Sequence, residues 1–212
     1  RRLITPVVRW PGGCFADDNH WEDGIGPRER RPTRPNLWWG GIEPNSFGTD
    51  EFMHFCRLVG AEPYLCVNVG SGSPTEARNW LDYCNGVSPT HYPRLRVRYG
   101  QSEPYGVRYW GVGNENWGCS GNFTPEEYAA AYRRFSTYLR RFDASVELIA
   151  CGHTTPDWNA RFLAALGLDR NPRYLGLIDH LSIHRYFRGP SDVAFTDEQY
   201  YELVLGSLQI ED

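Results

Sequence analysis

The feature that most limits what this chain can fold into is a repeated cycle of apolar strand, polar loop and capped helix along its whole length. Val7-Val8-Arg9-Trp10 reads as a short strand halted by Pro11-Gly12-Gly13. Thr49, followed by Asp50 and Glu51, predicts a helix whose apolar positions Phe52, Phe55, Cys56 and Val59 keep helical spacing up to Gly60. Residues 64 to 69 make the next apolar run, and Ser73-Pro74-Thr75-Glu76 then has the pattern of a capping box with proline at the first helical position. Helix starts of related pattern recur at Thr124-Pro125-Glu126-Glu127, Thr155-Pro156-Asp157 and Thr196-Asp197-Glu198-Gln199. Between them, residues 107 to 112, 146 to 150 and 181 to 186 are apolar on both parities, the pattern of strands covered on both faces.

Such strands are parallel, and parallel strands joined by helices settle into an open doubly wound sheet or a closed barrel. The loops separate the two. A dinucleotide-binding sheet wants G-x-G-x-x-G after its first strand, whereas the nearest match, Gly111-Val112-Gly113, has Asn116 where the third glycine belongs. Polar residue types instead gather after every strand, as they do at the C-terminal mouth of a (β/α)8 TIM barrel. The expectation is therefore α/β: an incomplete barrel, with residues 1–212 forming one part-domain that holds five of the eight strands. The chain starts at Arg1 and has its one methionine at Met53, which points to a fragment or processed product.

Composition excludes several partners. The formal net charge is -4 and all 22 basic residues are arginines, scattered except for Arg28, Arg30, Arg31 and Arg34, so no basic stripe is offered to nucleic acid. That cluster is expected to form salt bridges and anchor its loop. No apolar stretch is long enough to span a membrane and no signal-peptide pattern is present. The 6 cysteines are widely spaced with no C-x-x-C pair, so buried reduced thiols and a cytoplasmic setting are expected.

Glycoside hydrolysis needs one carboxyl that protonates the leaving oxygen and a second that attacks the anomeric carbon or activates water. Glu115 ends the run 107 to 112 through Gly113-Asn114, and Asn114 beside it is suited to a sugar hydroxyl. Asn68 ends another strand and is a further candidate for binding the substrate, and His184 and Tyr186, two apart, point to one face. No metal or other cofactor is expected: His180 and His184 on a strand stand about four rises of 3.3 Å apart. Neither an H-E-x-x-H helix nor a G-x-S-x-G elbow occurs.

Several blocks now add up. Residues 9 to 15 (RWPGGCF), 20 to 28 (HWEDGIGPR), 43 to 48 (EPNSFG), 60 to 64 (GAEPY), 109 to 115 (YWGVGNE) and 182 to 186 (SIHRY) closely resemble glycoside hydrolase family 51 α-L-arabinofuranosidases. The resemblance implies a retaining exo-hydrolase acting on arabinose-containing glycans, with barrel strands two to six in this chain. By position it implies Glu115 as acid/base, Asn114 on the sugar 2-hydroxyl, Cys14 and Trp21 lining the pocket, His184 shaping its wall and Tyr186 bonded to the nucleophile. The family's nucleophile, after strand seven, and its β-sandwich domain would both lie outside this chain. Glu211 matches no motif and is not read as that nucleophile. Members of the family are often homo-oligomers, and the same is expected here by analogy. The competing expectation is a sugar-binding barrel without hydrolysis, or an inactive piece.

Overall fold

The structure, a computed structural model, describes residues 5–168, 176–186 and 196–206. Strand β1 (Val7–Trp10) runs into three short 3₁₀ turns, Cys14–Asp17, Trp21–Gly24 and Arg28–Arg30. A small antiparallel hairpin, β2 (Arg34–Pro35) and β3 (Ile42–Glu43), precedes helix α1 (Thr49–Val59). Then follow β4 (Glu62–Val67), α2 (Pro74–Asn85), α3 (His91–Arg98), β5 (Tyr109–Val112), α4 (Pro125–Phe142), β6 (Glu147–Cys151), α5 (Pro156–Leu166), β7 (His180–Ser182) and α6 (Asp197–Leu205).

The main sheet has the order β1-β4-β5-β6-β7, every neighbouring pair parallel. Successive strands thus lie side by side in chain order, the sequential winding of an α/β barrel rather than the reversal of a doubly wound sheet. Register decides the two faces. The row Trp10, Leu65, Trp110, Leu148 turns toward the helices, where Trp10 stacks on Phe52 at 5.6 Å and Trp80 meets Trp110 edge-on at 5.7 Å. Full burial of aromatic and aliphatic side chains of this size contributes about 1.5–3 kcal/mol each. The opposite face is polar: the Arg9 guanidinium lies 6.0 Å over the Tyr64 ring. A Cβ at Gly111 would come within 2.7 Å of that ring, so glycine there makes room for it.

Strand and helix ends depart from the period in ways side chains explain. Val107, expected to open its strand, is outside β5 because Asn85 serves both its backbone groups, accepting from its N–H at 2.8 Å and donating to its carbonyl at 2.9 Å. The run expected to reach Val69 stops at Val67, and the Val69 N–H goes to Asp17. Likewise the run 181 to 186 is strand only over His180–Ser182. In α1 the cap is Gly48, not Thr49, which lies inside the helix and accepts from the Trp80 indole at 3.0 Å. The buried positions of α1 are Phe52, Met53 and Cys56, while Phe55 and Val59 face solvent. Both α3 and the β2–β3 hairpin were invisible to periodicity, being short and polar or proline-rich.

The arginine cluster anchors its loop as expected. Arg31 donates to Glu51 and to the carbonyls of Gly26 and Asn45, Arg28 donates to Glu51, and Arg34 pairs with Asp23. Among the described residues no helix is long and apolar enough to cross a membrane.

Candidate active site at the C-terminal ends of the strands

Beyond β5 the chain turns sharply. Gly113 has φ 84° and Glu115 φ 45°, a left-handed conformation uncommon for a side-chain-bearing residue. The turn is held because the Glu115 carbonyl accepts from the N–H groups of Gly118 and Cys119 at 2.7 and 2.8 Å. Strained backbone that the surroundings over-determine is a recurrent mark of functional sites. The half-buried Glu115 side chain meets His184, with Nδ1 to Oε1 at 2.6 Å.

Asn114 is fixed on two sides. Its N–H donates to Asp17 at 3.1 Å, and its Oδ1 accepts from Arg9 at 2.8 Å. Its Nδ2 makes only a weak contact of 3.7 Å, to Cys119 Sγ. Below it, Cys66 donates to the Gly113 carbonyl at 3.1 Å. Burial pushes that thiol up to about 12, so it stays protonated and keeps the bond.

Asp17 is the centre of this scaffold and was not singled out from sequence. It is 2% exposed and accepts from Val69 N, Asn114 N, Asn116 Nδ2 and Ser120 Oγ, joining the loops after β1, β4 and β5. Burial raises its carboxyl, and those four donors act against that rise. Nothing local distinguishes Asp17 from Asp18. Arg9 was better signalled, as a charge in the middle of a buried strand.

Three expectations are corrected. Cys14 and Cys119, expected as reduced thiols, are joined as a disulfide across 105 residues, because the β1 and β5 loops meet over Asn114. Cys56, Cys66, Cys84 and Cys151 are free and buried. Trp21 does not line a mouth: it is 1% exposed, stacks on Trp80 at 6.1 Å and donates to the Glu76 carbonyl. Asn68 has no free hydrogen-bonding capacity for a ligand. Its Nδ2 donates to Asn19 O and Ser71 Oγ, and its Oδ1 accepts from the N–H groups of Ser71 and Gly72.

Tyr186 is 75% exposed and, like His184, lies past the end of β7. Trp39, at the hairpin tip, is 68% exposed and its ring comes within 3.1 Å of a Cβ placed at Gly13, so an indole leans over the β1 loop. His180 turns to a different carboxylate, Glu147, at 2.6 Å. Glu211 is outside the described residues.

Ser71, His20 and Glu76 form a chain with the order of a hydrolase triad: His20 Nδ1 is 2.9 Å from Glu76 Oε1 and its Nε2 is 3.5 Å from Ser71 Oγ. The Ser71 hydroxyl, however, donates to the Asp17 carbonyl and accepts from Asn68, and its N–H is bonded to Asp17 O and Asn68 Oδ1. A nucleophile needs a free lone pair and an open oxyanion donor. The chain orders the loop instead.

The model of the alpha-L-arabinofuranosidase 1 domain matches residues 1–202. Alpha-L-arabinofuranosidase C of Emericella nidulans is 46% identical over 193 residues, 88% of this chain and 38% of that protein. An intracellular exo-alpha-L-arabinofuranosidase of Bacteroides ovatus is 42% identical over 217 residues, 99% of this chain and 41% of that one. Among solved structures, the thermostable GH51 alpha-L-arabinofuranosidase of Thermotoga petrophila superposes with a TM-score of 0.79 at 45% identity, covering 86% of this chain and 37% of that one. The chain thus spans about two fifths of the length of these relatives. With the winding of its sheet and the loops that converge on Glu115, it belongs to the α-L-arabinofuranosidase 1 domain family of glycoside hydrolase family 51.

Proposed function

We infer that this chain is the part of a retaining α-L-arabinofuranosidase that carries the proton-transferring half of the active site. The observation that carries the reading is the Glu115–His184 contact beside Asn114, at the C-terminal ends of parallel strands. β1 and β4 to β7 correspond, in this reading, to strands two to six of a (β/α)8 barrel. The nucleophile is a glutamate after strand seven, and that strand, like the family's β-sandwich domain, is outside these residues.

Glu115 protonates the glycosidic oxygen as the bond to the anomeric carbon breaks and the nucleophile's carboxylate takes that carbon. Glu115 then accepts a proton from the water that releases arabinose with retained configuration. Retention requires the two carboxyl groups about 5–5.5 Å apart. His184 holds the Glu115 carboxyl in position. Asn114 Nδ2 is turned to the sugar 2-hydroxyl because Arg9 occupies its oxygen. The disulfide at Cys14 forms pocket wall, and Tyr186 reaches toward the nucleophile. The substrate is a terminal α-L-arabinofuranosyl unit of an arabinose-containing glycan, and the complete protein is a homo-oligomer.

In the complete protein, Glu115→Ala is expected to lower kcat on poor leaving groups by about 10²–10⁴. On an activated aryl arabinofuranoside the loss is smaller, and azide restores part of the rate as glycosyl azide. Equal loss on both substrates with no azide product would remove Glu115 from this role. A wild-type complete protein that binds the glycan without cleaving it would establish a binding module instead.

A further inference from the structure

Among the described residues, the Cys14–Cys119 disulfide is the one covalent link between the loops after β1 and β5. Cys14 opens the 3₁₀ turn that carries Asp17. Cys119 belongs to the turn that holds Glu115: its N–H donates to the Glu115 carbonyl at 2.8 Å, and its Sγ takes the weak contact from Asn114 Nδ2.

Opening this bond would leave the surrounding fold in place. Asp17 still accepts from Asn114 N, Asn116 Nδ2 and Ser120 Oγ, so the two loops stay docked on either side of Cys119. The Gly113 N–H stays on the Val67 carbonyl and the Phe123 N–H on the Asn116 carbonyl. The change is local. Two thiols keep van der Waals separation where a bond had held the sulfurs together, so Cys119 moves away from Cys14 and disturbs the Glu115 turn and the Asn114 contact.

Access and reactivity call for an outside reagent. Cys14 is half-buried and Gly12 and Gly118 beside the bridge are exposed, whereas Cys119 is 2% exposed, so attack falls on the Cys14 sulfur. The thiolate is the attacking form in thiol–disulfide exchange. Burial pushes the Cys66 and Cys151 thiols up to about 12 and also raises Cys56 and Cys84. All four free cysteines therefore stay protonated and leave the bridge alone.

We propose that the Cys14–Cys119 pair is a redox switch on the candidate active site, competent as the disulfide and slowed by a dithiol reductant. One thiolate of the dithiol attacks Cys14 Sγ, the S–S bond breaks, and Cys119 leaves with the electron pair. The reductant's second thiolate attacks its own sulfur in the mixed disulfide and expels the Cys14 thiolate. Both protein thiolates take up the protons that the dithiol gave up, so two electrons and two protons pass to the protein and the reductant becomes a disulfide. A small disulfide oxidant reverses the sequence. Cys14 and Cys119 act here as positioning residues, through Glu115 and Asn114. The activity readout rests on the glycosidase reading above.

The test uses the complete folded protein before and after treatment with dithiothreitol, with residues 14 and 119 mapped by differential alkylation. Reduction is expected to lower kcat/KM on an aryl arabinofuranoside about tenfold, the scale of a reacting group displaced by less than an ångström, with the far-UV circular dichroism unchanged. Oxidised glutathione should restore the rate. The double variant Cys14→Ser, Cys119→Ser should stay at the reduced rate with or without dithiothreitol. Four outcomes each overturn the switch: a bridge that stays linked in the folded protein, an unchanged rate after both residues are reduced, an equal dithiothreitol loss in the double variant, or unfolding on reduction. Wild-type turnover that ignores the redox state keeps the glycosidase reading and removes only the switch. Turnover in neither state removes the glycosidase reading, and calorimetric affinity for arabinose then decides the switch. Weaker binding in the reduced state keeps it, and equal binding or none overturns it.

Discussion

His184 Nδ1 stands 2.6 Å from Glu115 Oε1, although the two side chains follow strands β7 and β5, with β6 between them. The contact joins the segments that follow the C-terminal ends of those strands and fixes where the Glu115 carboxyl points. In the complete protein, His184→Phe should lower kcat about 10- to 100-fold, the cost of a carboxyl displaced by an ångström or less. KM should change less than kcat, and steady-state kinetics on an aryl arabinofuranoside would show it. An unchanged kcat would mean that Glu115 is positioned by its strained backbone alone.

Asp17 should matter more to folding than to chemistry. Asp17→Ala strands four donors, each costing about 1–3 kcal/mol when buried unpaired, so a loss on the order of 3 kcal/mol or more is expected. Asp17→Asn keeps one acceptor oxygen and should fall between. Urea unfolding of the complete protein, read at constant m-value, measures both.

Glu51 links pH to stability. Burial works against its ionisation, but Arg31, the Gly48 N–H and Arg28 outweigh it, and its carboxyl sits below the usual 4.5. A depressed folded value means that the stabilisation is present above pH 4.5 and is lost as pH falls through the lower folded value. At neutral pH, Glu51→Gln should cost about 1.5–3 kcal/mol, since hydrogen bonds to a charged group are lost. The gap between wild type and Glu51→Gln should narrow as the medium is taken from pH 5 to pH 3. A gap that stays constant over that range would show that the helix cap, not the charge, is what counts.

The Cys14–Cys119 bridge closes a long loop, and crosslinks of about 100 residues are worth roughly 2–5 kcal/mol in small domains. Peptide mapping without reductant should recover residues 14 and 119 in one linked fragment. The double variant Cys14→Ser, Cys119→Ser should melt several degrees lower, while Cys84→Ser, a free buried thiol, should not alter the map. Recovery of both peptides unlinked would restore the reduced state that wide cysteine spacing suggested.

How much of this was legible beforehand can be read from individual residues. Capping signals over three or four positions located the starts of α2, α4, α5 and α6, and at α4 and α6 the reciprocal box is formed, Thr124 with Glu127 and Thr196 with Gln199. At α2 half of it is redirected: Ser73 accepts from Glu76 N, but the Glu76 carboxylate turns to His20. Trp21 was assigned to the pocket by position in a motif and Asn68 by its place at a strand end, yet the indole is packed against Trp80 and the amide is saturated by its own loop. A motif reports that a residue type is required there; it does not report which neighbour requires it.

The sequence alone therefore determined the order of parallel strands and capped helices and placed Glu115 beside Asn114 at a strand end. Those features depend on period, propensity and capping, which act between residues a few positions apart. Only the tertiary structure joined Cys14 to Cys119, brought His184 to Glu115 and made Asp17, in the β1 loop, the shared acceptor of the loops after β4 and β5. These contacts link residues 52 to 105 positions apart. Register and sheet curvature set such distances, and no local pattern in the chain carries them.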